Sequence, residues 1–477
     1  MSTRVLIVVF DALRPEFVTP ELMGNLHAFA TEGCRFDNHH STFPTETRVN
    51  QSAVITGCYP QNHGVVANRF PLPSADGGAS GVVSTGDDIA FAAMLEQMSE
   101  PLLGVPALGA ILTRHGKRLA TISAGTSGGG RLINLHADDE QGVRFTLRRP
   151  EVSVPTGLPD QIAVRIGAMP RYEQPAVAWN QYAVDAWLDL IEPETRPDVT
   201  LLWLCEPDES FHWHGIGSPQ ALEAIRGVDQ AFGQIVSRKK DEIASGDLHV
   251  IAMSDHGQIS LSGGKLGIVD QMVHAGLRAA DHPGLDVDFT VTVHNSGGIW
   301  VRGADQGLIA SGVEWLEAQP WCGAAFTRQG IAGTLRHQDI LTDHRRAPDI
   351  YVTLAHDDRP NHWGIFGSCA DNAPYPDGNG CHGGLSTYEL QNFLAVQGTA
   401  FKQGARFDTP SGNVDILPTL VELMSMPSIQ TDGRVLREAF VGCATPPWTI
   451  ETLNGGRTRL QRSHCDGTIY LDRGWAT

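Results

Sequence analysis

Positive charge is scarce in this chain of 477 residues. It contains 35 Lys and Arg residues against 54 Asp and Glu residues, which gives a formal net charge of −19. Proteins that coat nucleic acid carry the opposite balance, because they neutralise phosphates with Lys and Arg. We therefore expect no general nucleic-acid-binding surface, although this composition still permits a local basic pocket.

Long hydrophobic runs are absent as well. The first apolar stretch, residues 5–10, is shorter than a signal-peptide core or a membrane span, and it is followed by Asp11. We therefore predict a soluble, cytoplasmic protein without a membrane partner. Nothing in the sequence indicates its oligomeric state.

Paired cysteines are also missing, since none of the eight cysteines belongs to a C-x-x-C motif. This spacing indicates neither a thiolate zinc finger nor a disulfide framework. The cysteines are therefore predicted to be buried free thiols.

The sequence does contain apolar runs of strand length, at residues 5–10, 199–205 and 248–253. Continuous runs of this kind are typical of parallel strands that are covered on both faces. Segments with helical periodicity alternate with them, which predicts the α/β class with a mostly parallel sheet flanked by helices. Asp11 and the pair Asp255 and His256 directly follow two of these strands, at the sheet edge where α/β proteins bind ligands.

Two helix starts are indicated near the N-terminus. Thr19 is predicted as the N-cap of a helix with Pro20 at its first position and Gly33 at its end. Thr47 lies at or near the start of the next helix, which ends at Gly57. A threonine at such a position usually caps the helix, and it becomes a nucleophile only where a base or a metal removes its proton.

The pattern along the chain predicts a catalytic core that is interrupted by an insertion. Alternating strands with Gly- and Pro-rich connections indicate an inserted α+β cap at residues 259–375, within a core formed by residues 1–258 and 376–440. Residues 441–477 are predicted to be a C-terminal extension.

Gly128, Gly129 and Gly130 lack the strand, helix and lysine of a phosphate-binding P-loop, so we predict a flexible loop there.

Six Asp and His residues form a candidate ligand set for metal ions. They are Asp11, Asp208, His212, Asp255, His256 and His382. Oxygen and imidazole nitrogen donors of this kind suit zinc, with manganese as the alternative. A pair of such ions, roughly 3.5–4 Å apart, holds the attacking and leaving oxygens of a phosphoryl displacement and would deprotonate Thr47.

The segments DALRPE, FPTETRVN, TGCYPQNHGVVAN, EPDESFH, SDHG and CHGG occur in this order along the chain. In these segments the sequence resembles the nucleotide pyrophosphatase/phosphodiesterase family of the alkaline phosphatase superfamily. The similar blocks cover about residues 4–68, 199–256 and 379–427. The resemblance implies an alkaline-phosphatase-like core and a two-zinc phosphodiesterase that acts on small phosphodiester or phosphonate substrates.

The resemblance also implies roles for individual residues. One zinc ion would be held by Asp208, His212 and His382, and the other by Asp11, Asp255 and His256. Thr47 would be the nucleophile that contacts the second ion and forms a phosphothreonine intermediate. Asn68 would donate a hydrogen bond to a non-bridging phosphate oxygen and so stabilise the charge of the transition state.

Two residues depart from the family pattern and keep other functions open. Val49 replaces the proline that precedes an asparagine in the family. Arg48 follows Thr47 where the family usually has an aromatic residue that helps to hold a nucleobase, so a substrate-binding role for Arg48 implies an anionic partner. A phosphonoacetate-hydrolase-like enzyme that cleaves a C–P bond is the nearest alternative, and it needs a cation at Lys265, Arg131 or Arg48 for its carboxylate. A phosphomonoesterase is the third reading, and a non-enzymatic zinc-binding module is the least favoured.

Overall fold

Strands and helices alternate through the part of the chain that this computed structural model describes, residues 3–73, 79–138 and 142–477. The strands are β1 Arg4–Phe10, β2 Cys34–His40, β3 Arg69–Pro73, β4 Ala79–Ser84, β5 Leu119–Ser123, β6 Val143–Thr146, β7 Val199–Leu204, β8 Leu248–Met253, β9 Ile259–Lys265, β10 Ala279–Ala280, β11 Phe289–Val293, β12 Ser296–Val301, β13 Cys322–Thr327, β14 Leu335–Arg336, β15 Ile350–Leu354, β16 His356–Pro360, β17 Phe366–Asp371, β18 Gly380–Cys381, β19 Gln391–Gln397, β20 Ala405–Phe407, β21 Ser411–Gly412, β22 Trp448–Gly455, β23 Thr458–Cys465 and β24 Thr468–Ala476.

The α-helices vary from a single turn to the long helix α11. They are α1 Gly24–Glu32, α2 Thr47–Thr56, α3 Pro60–His63, α4 Asp88–Gln97, α5 Leu108–Arg114, α6 Ser127–Leu132, α7 Leu158–Ile166, α8 Val177–Ala186, α9 Glu192–Thr195, α10 Asp208–His214, α11 Pro219–Arg238, α12 Lys240–Ser245, α13 Ile268–His274, α14 Gln306–Glu317, α15 Thr387–Leu390 and α16 Ile416–Leu423. None of the helices in the described ranges has the length and apolar character needed to span a membrane.

The central sheet has the strand order β20–β2–β19–β8–β1–β7–β5–β6, with β21 also paired to β2. The pairs from β8 through β1, β7 and β5 to β6 are parallel, and β19 is antiparallel to both of its neighbours. This arrangement confirms the α/β class with a mostly parallel sheet. Because β8, β1 and β7 are adjacent and parallel, the segments that follow them meet at one edge of the sheet.

Both faces of β1 are buried, as its continuous apolar sequence predicts. Alternate residues point to opposite faces of a strand. Leu6, Val8 and Phe10 pack in the core on one side, where the Phe10 and Phe232 rings meet edge to face at 5.6 Å. Val5 and its alternates on the other face pack in a second core that includes residues of α5 and α16. Helices therefore cover the sheet on both sides and leave its edge for the site.

The first helix starts later than Thr19 and Pro20 predict. It begins at Gly24, while the Thr19 hydroxyl accepts a hydrogen bond from the Leu22 N–H in a preceding turn. The Asp229 carboxylate, from α11, accepts from the N–H groups of Asn25 and Leu26 at the start of the helix. The N-cap prediction was therefore wrong, because a side chain from a distant helix satisfies these donors. The helix end at Gly33 was predicted correctly.

Residues between α12 and α15 build two further sheets. One has the order β10–β11–β12–β15–β13–β14, and the other has the order β16–β17–β9–β18. Tyr351 of β15 is buried and packs edge to face on Phe43, in the segment that leads to Thr47. This region therefore contacts the core close to the proposed nucleophile. The boundaries of the predicted cap at 259 and 375 stay a prediction.

The C-terminal residues form an antiparallel sheet, β22–β23–β24. Tyr470 of β24 is buried, and its hydroxyl donates to the Asp415 carboxylate at 2.8 Å. Arg434 donates to the Tyr470 oxygen and forms a buried ion pair with Glu438, with N–O distances of 2.5 and 2.9 Å. A network of buried polar groups therefore joins this sheet to the core.

Replacing Glu438 with alanine is expected to lower the free energy of unfolding by about 3–5 kcal/mol, because it leaves the Arg434 charge buried without its bidentate partner. Denaturant unfolding measures this loss. The matched control is Glu422→Ala, which removes the exposed ion pair with Arg437 and is expected to cost at most about 1 kcal/mol. Equal losses of unfolding free energy in the two variants would show that the buried ion pair stabilises the protein no more than the exposed one.

All eight cysteines are free thiols, and seven of them are buried. Only Cys443 is partly exposed. This confirms the prediction of buried free thiols for all but that residue.

Candidate active site

The predicted site residues lie at the carboxyl edge of the central sheet or in loops that reach it. They are Asp11 after β1, Asp208 and His212 in α10, Asp255 and His256 after β8, His382 after β18, and Thr47, Arg48 and Asn68 in and after α2. Hydrogen bonds or close approaches of 3.3–3.6 Å between imidazole nitrogens and carboxylate oxygens join each of them to at least one other member. The structure therefore brings the whole predicted set together.

Asp208, His212 and His382 form one group of candidate ligands, with their ligand atoms within 4.8 Å of one another. The Asp208 Oδ1 atom lies 3.3 Å from the Nε2 atom of His212 and 3.4 Å from that of His382. Asp208 and His212 are on successive turns of α10, so helix geometry turns them to the same face. These three side chains can converge on one ion.

A second group surrounds His256. One oxygen of Asp11 accepts from the Trp203 indole N–H at 2.9 Å, and one oxygen of Asp255 accepts from the Ala12 N–H at 3.1 Å. The other oxygens, Asp11 Oδ1 and Asp255 Oδ2, are buried and have no hydrogen-bond partner among the described residues. They lie 3.6 and 3.3 Å from the His256 Nε2 atom. Two orphaned carboxylate oxygens and one imidazole nitrogen therefore face one another.

Asp208 lies close to both groups. Its carboxylate, together with Asp11 and His256, forms another set of ligand atoms within 4.8 Å of one another. The resemblance assigns Asp208 to a single ion with His212 and His382. The geometry adds a position between the two groups, from which one carboxylate can contact both ions.

Backbone carbonyls fix the orientation of all three imidazoles. The Nδ1 atoms of His212, His256 and His382 lie 2.9, 3.0 and 2.8 Å from the carbonyl oxygens of Gly380, Gly257 and Thr45, respectively. A carbonyl only accepts, so we assign the proton of each ring to Nδ1. Each Nε2 atom is then an acceptor that faces the carboxylates, as metal-binding histidines require.

Burial and crowding shift the pKa values of the acidic groups. Burial, with the nearby charges of Asp255 and Asp208, raises the pKa of Asp11 well above its usual value. Burial also tends to raise the pKa of Asp208, but the imidazoles around it outweigh this effect and lower that pKa. Three carboxylates, Asp11, Asp208 and Asp255, are thus packed into one buried cluster, an arrangement that a bound cation would stabilise.

Thr47 begins α2 and is buried, and its hydroxyl points at the second group. The Thr47 Oγ1 atom lies 3.1 Å from the His256 Nε2 atom. Glu46, not Thr47, occupies the N-cap position, and it makes no side-chain cap. The hydroxyl therefore does not cap its own helix, which leaves it available for the chemistry of the site.

Hydrogen bonds join Asn68 to Glu46 and Arg48, the residues on either side of Thr47. The Arg48 N–H donates to the Asn68 Oδ1 atom at 3.0 Å, and the Asn68 N–H donates to the Glu46 carboxylate. The Asn68 carbonyl accepts from the Thr85 N–H at 3.1 Å. These bonds hold the Asn68 side chain against the start of α2, with its donor end on Nδ2.

The glycine segment forms a helix, α6, so the prediction of a flexible loop at Gly128 to Gly130 was wrong. Close packing explains the difference. A Cβ atom on Gly128 would lie 2.0 Å from the Thr85 carbonyl oxygen, and one on Gly130 would lie 2.8 Å from the Thr146 hydroxyl. The glycines therefore let α6 approach its neighbours, and Thr126, the N-cap of α6, accepts a hydrogen bond from Arg48 at 2.9 Å.

A groove of about 830 Å³ opens beside the ligand groups. We call it the lateral groove, and its lining includes Gly86, Thr126, Ser127, Arg148, Tyr172 and Trp213. Trp213 is the neighbour of His212 in α10, although no candidate ligand itself lines the groove. Thr126 connects the groove to Arg48 through their hydrogen bond.

Sequence reasoning missed three residues that contact the site. The Tyr375 ring stacks on His212 with 3.8 Å between ring centroids, and the Gln258 amide donates to the Asp208 Oδ1 atom at 2.5 Å. Thr126 is the third, through its bond to Arg48. Gln258 lies two residues after His256, so its position just past the end of a strand could have predicted its contact with the site. Tyr375 lies in a segment without a local pattern.

Comparisons with known proteins identify the family and the fold. The model of the type I phosphodiesterase / nucleotide pyrophosphatase family matches residues 5–358. Ectonucleotide pyrophosphatase/phosphodiesterase family member 1 of Mus musculus is 26% identical over 260 residues, which are 54% of this chain and 24% of that protein. A venom phosphodiesterase of Macrovipera lebetinus is 24% identical over 249 residues, 51% of this chain and 24% of that protein. The matched region is thus about a quarter of the length of these relatives.

Solved structures show the same fold. An inactive variant of murine ectonucleotide pyrophosphatase/phosphodiesterase 5 in complex with AMP superimposes with a TM-score of 0.61 at 16% identity, and the match covers 91% of this chain and 97% of that one. The same murine protein in a second structure gives a TM-score of 0.60 at 17% identity, with 90% and 97% covered. The fold is therefore alkaline-phosphatase-like. Because the family model matches most of its length, the chain belongs to the type I phosphodiesterase/nucleotide pyrophosphatase family.

Proposed function

We propose that this protein is a two-metal phosphodiester hydrolase that attacks phosphorus with the Thr47 hydroxyl. The observation that carries the proposal is the position of Thr47 Oγ1, 3.1 Å from His256 Nε2 and beside the cluster of Asp and His ligands. Family membership supports the reaction class. A small phosphodiester is the proposed substrate.

The donor set fits two divalent ions. The orphaned oxygens of Asp11 and Asp255 and the three acceptor Nε2 atoms all point into the cluster. We propose Asp208, His212 and His382 for one ion, and Asp11, Asp255 and His256 for the other. Oxygen and nitrogen donors suit zinc, with manganese as the alternative. Such ions, when bound, polarise phosphoryl oxygens and lower the pKa of a nearby hydroxyl.

Thr47 and Asn68 have separate roles in the proposed reaction. The Thr47 oxygen forms a bond to phosphorus while the bond to the leaving oxygen breaks, which leaves a phosphothreonine that water hydrolyses. The Asn68 Oδ1 atom is held by the Arg48 N–H, so we assign Asn68 Nδ2 as the donor to a non-bridging phosphate oxygen. Burial of Thr47 and its contact with His256 Nε2 limit the motion of the attacking oxygen.

The contacts of two candidate cations bear on C–P bond cleavage, the nearest alternative reaction. Arg131 is committed to a bidentate ion pair with Asp88, with N–O distances of 2.5 and 3.0 Å. Lys265 binds the Asp371 carboxylate at 2.7 Å. Arg48 is therefore the remaining candidate for a phosphonoacetate carboxylate, and we favour the diesterase on family membership.

A cytoplasmic location is also part of the proposal. Free thiols persist in reducing compartments, and all eight cysteines are unpaired. Cell fractionation followed by detection of the protein tests this location.

Removal of the metal is expected to lower turnover of bis(p-nitrophenyl) phosphate at least about 100-fold, and added Zn²⁺ is expected to restore it. Rates on p-nitrophenyl phosphate and phosphonoacetate are measured in parallel, with metal content determined by elemental analysis. We expect the diester to be the fastest substrate. Full activity in metal-free protein, or faster cleavage of either competing substrate, would overturn the proposal.

A further inference from the structure

We propose that Arg48 selects phosphodiesters that carry a second anionic group, a carboxylate or a phosphate, on the ester arm that enters the lateral groove. The inference rests on the proposed function, because it concerns the substrate of the same site. It assigns Arg48 a role in specificity, distinct from the bond-breaking step assigned to Thr47.

The backbone and side chain of Arg48 are both held in place. Its N–H donates to Asn68 Oδ1 at 3.0 Å, and its Nη1 atom donates to the Thr126 hydroxyl at 2.9 Å. The first bond ties Arg48 to the residue assigned to the scissile phosphate. The second ties the guanidinium to the wall of the lateral groove, because Thr126 lines that groove. The guanidinium therefore lies between the reacting centre and the groove.

Among the described residues, Arg48 forms no ion pair, unlike the other arginines around the groove. Arg148 binds Glu209 at 2.5 Å, Arg149 binds Asp87 at 3.1 Å, and Arg131 binds Asp88. The Arg48 Nε atom is buried and has no hydrogen-bond partner in the described chain. The Nε atoms of Arg14, Arg144 and Arg148 are buried and unpartnered in the same way, so Nε does not set Arg48 apart. The end of Arg48 that faces the groove is its Nη2 atom, which lies 3.8 Å from the position that a Cβ atom on Gly86 would occupy.

Two hydroxyl groups add donors next to Arg48. The Thr126 oxygen accepts from Arg48 and from the Gly129 N–H at 3.4 Å, which leaves its own hydrogen to donate. The Ser127 oxygen accepts from the Asp88 N–H at 3.1 Å, and its hydrogen is likewise a donor. A guanidinium and two hydroxyl donors at one wall match an oxyanion with several acceptor sites.

The acidic residues of the groove do not oppose this assignment. Asp87 and Glu209 are each paired with an arginine, Arg149 and Arg148, so their charges are compensated locally. Glu173 lies exposed at the rim. Glu46 is the acid closest in sequence to Arg48, and its carboxylate accepts from the Asn68 N–H and forms no ion pair with Arg48 among the described residues. The positive charge nearest to the reacting centre on this wall is thus that of Arg48.

The test compares three p-nitrophenyl aryl phosphates whose second aryl ring is unsubstituted, carries a carboxylate or carries a phosphate. The quantity measured is the ratio of kcat/KM on an anionic-tailed diester to kcat/KM on the neutral-tailed one. Arg48→Ala is expected to lower this ratio by about 30- to 1000-fold, because it removes a charge-assisted bond from a partly buried site. Arg48→Lys is expected to recover part of it. The anionic arm, carboxylate or phosphate, whose kcat/KM ratio falls more in Arg48→Ala is the group that Arg48 binds.

Thr126→Val tests the orientation of the guanidinium, and it is expected to lower the same ratio by about threefold to tenfold. The control is Arg165→Ala, an exposed arginine that pairs with Glu194 and lies outside the groove, which is expected to leave the ratio unchanged. Equal losses on all three diesters in Arg48→Ala would assign Arg48 to the scissile phosphate and overturn the inference. Wild-type values of kcat/KM on all three diesters in Arg48→Ala would overturn it too. A wild-type protein that cleaves none of the diesters would instead refute the proposed function.

Discussion

Thr47→Ala is expected to lower kcat for phosphodiesters by roughly 10³-fold or more while the protein keeps its metal ions. The alanine variant retains all six Asp and His ligands and loses only the oxygen that attacks phosphorus, so catalysis fails although the site stays assembled. Thr47→Ser keeps a hydroxyl at the same position and is expected to retain part of the activity. Steady-state rates and elemental analysis on the same samples measure both quantities.

A second readout separates nucleophilic attack from a merely structural role for Thr47. Acid quenching during turnover, followed by peptide mass spectrometry, is expected to find a phosphoryl group on the peptide that contains Thr47 and none in the alanine variant. Thr56→Ser, at the far end of the same helix, serves as the control and is expected to leave turnover near wild type. Near-normal diesterase rates in Thr47→Ala would remove Thr47 from the mechanism.

Strands β1, β7 and β8 of the central sheet were predictable because each is a continuous apolar run. The apolar runs at residues 5–10 and 248–253 coincide with β1 and β8 to within one residue, since both faces of these strands are buried. The start of α1 was not predictable in the same way. Thr19 and Pro20 form a plausible local start, but Asp229 satisfies the helix N–H groups from α11, and a contact over 200 residues leaves no local pattern.

The ligands were predictable because strand ends converge in a parallel sheet. Asp11, Asp255 and His256 follow adjacent strands, so their proximity follows from the strand order. Thr126 follows β5, which is parallel to β7 in the same sheet, so its position follows from the strand order as well, and it was missed because β5 was not predicted. Tyr375 reaches the site from a segment without regular periodicity, and only tertiary packing brings it there. The glycines of α6 were wrongly predicted to form a flexible loop. Glycine is common both in flexible loops and where the backbone packs very closely against a neighbour, and the sequence alone does not distinguish the two.

Asp208→Ala is expected to reduce the binding of both metal ions, whereas His382→Ala is expected to reduce the binding of one. The Asp208 carboxylate lies within reach of His212 and His382 and, at the same time, forms a ligand set with Asp11 and His256. Even changes to residues that only orient a ligand cost about 10- to 100-fold in metal affinity, so loss of a shared ligand is expected to weaken each ion at least about 100-fold. Elemental analysis after dialysis against a fixed concentration of free Zn²⁺ counts the ions per chain.

Glu209→Gln is the matched control for charge, because Glu209 is the next residue and its carboxylate pairs with Arg148. If loss of one negative charge near the site were enough to release metal, Glu209→Gln and Asp208→Ala would behave alike. We expect Glu209→Gln to retain both ions. A variant Asp208→Ala that loses a single ion would assign Asp208 to the His212 and His382 group alone, as the sequence resemblance implies. The second ion would then depend on Asp11, Asp255 and His256, whose orphaned oxygens already face the imidazole nitrogen.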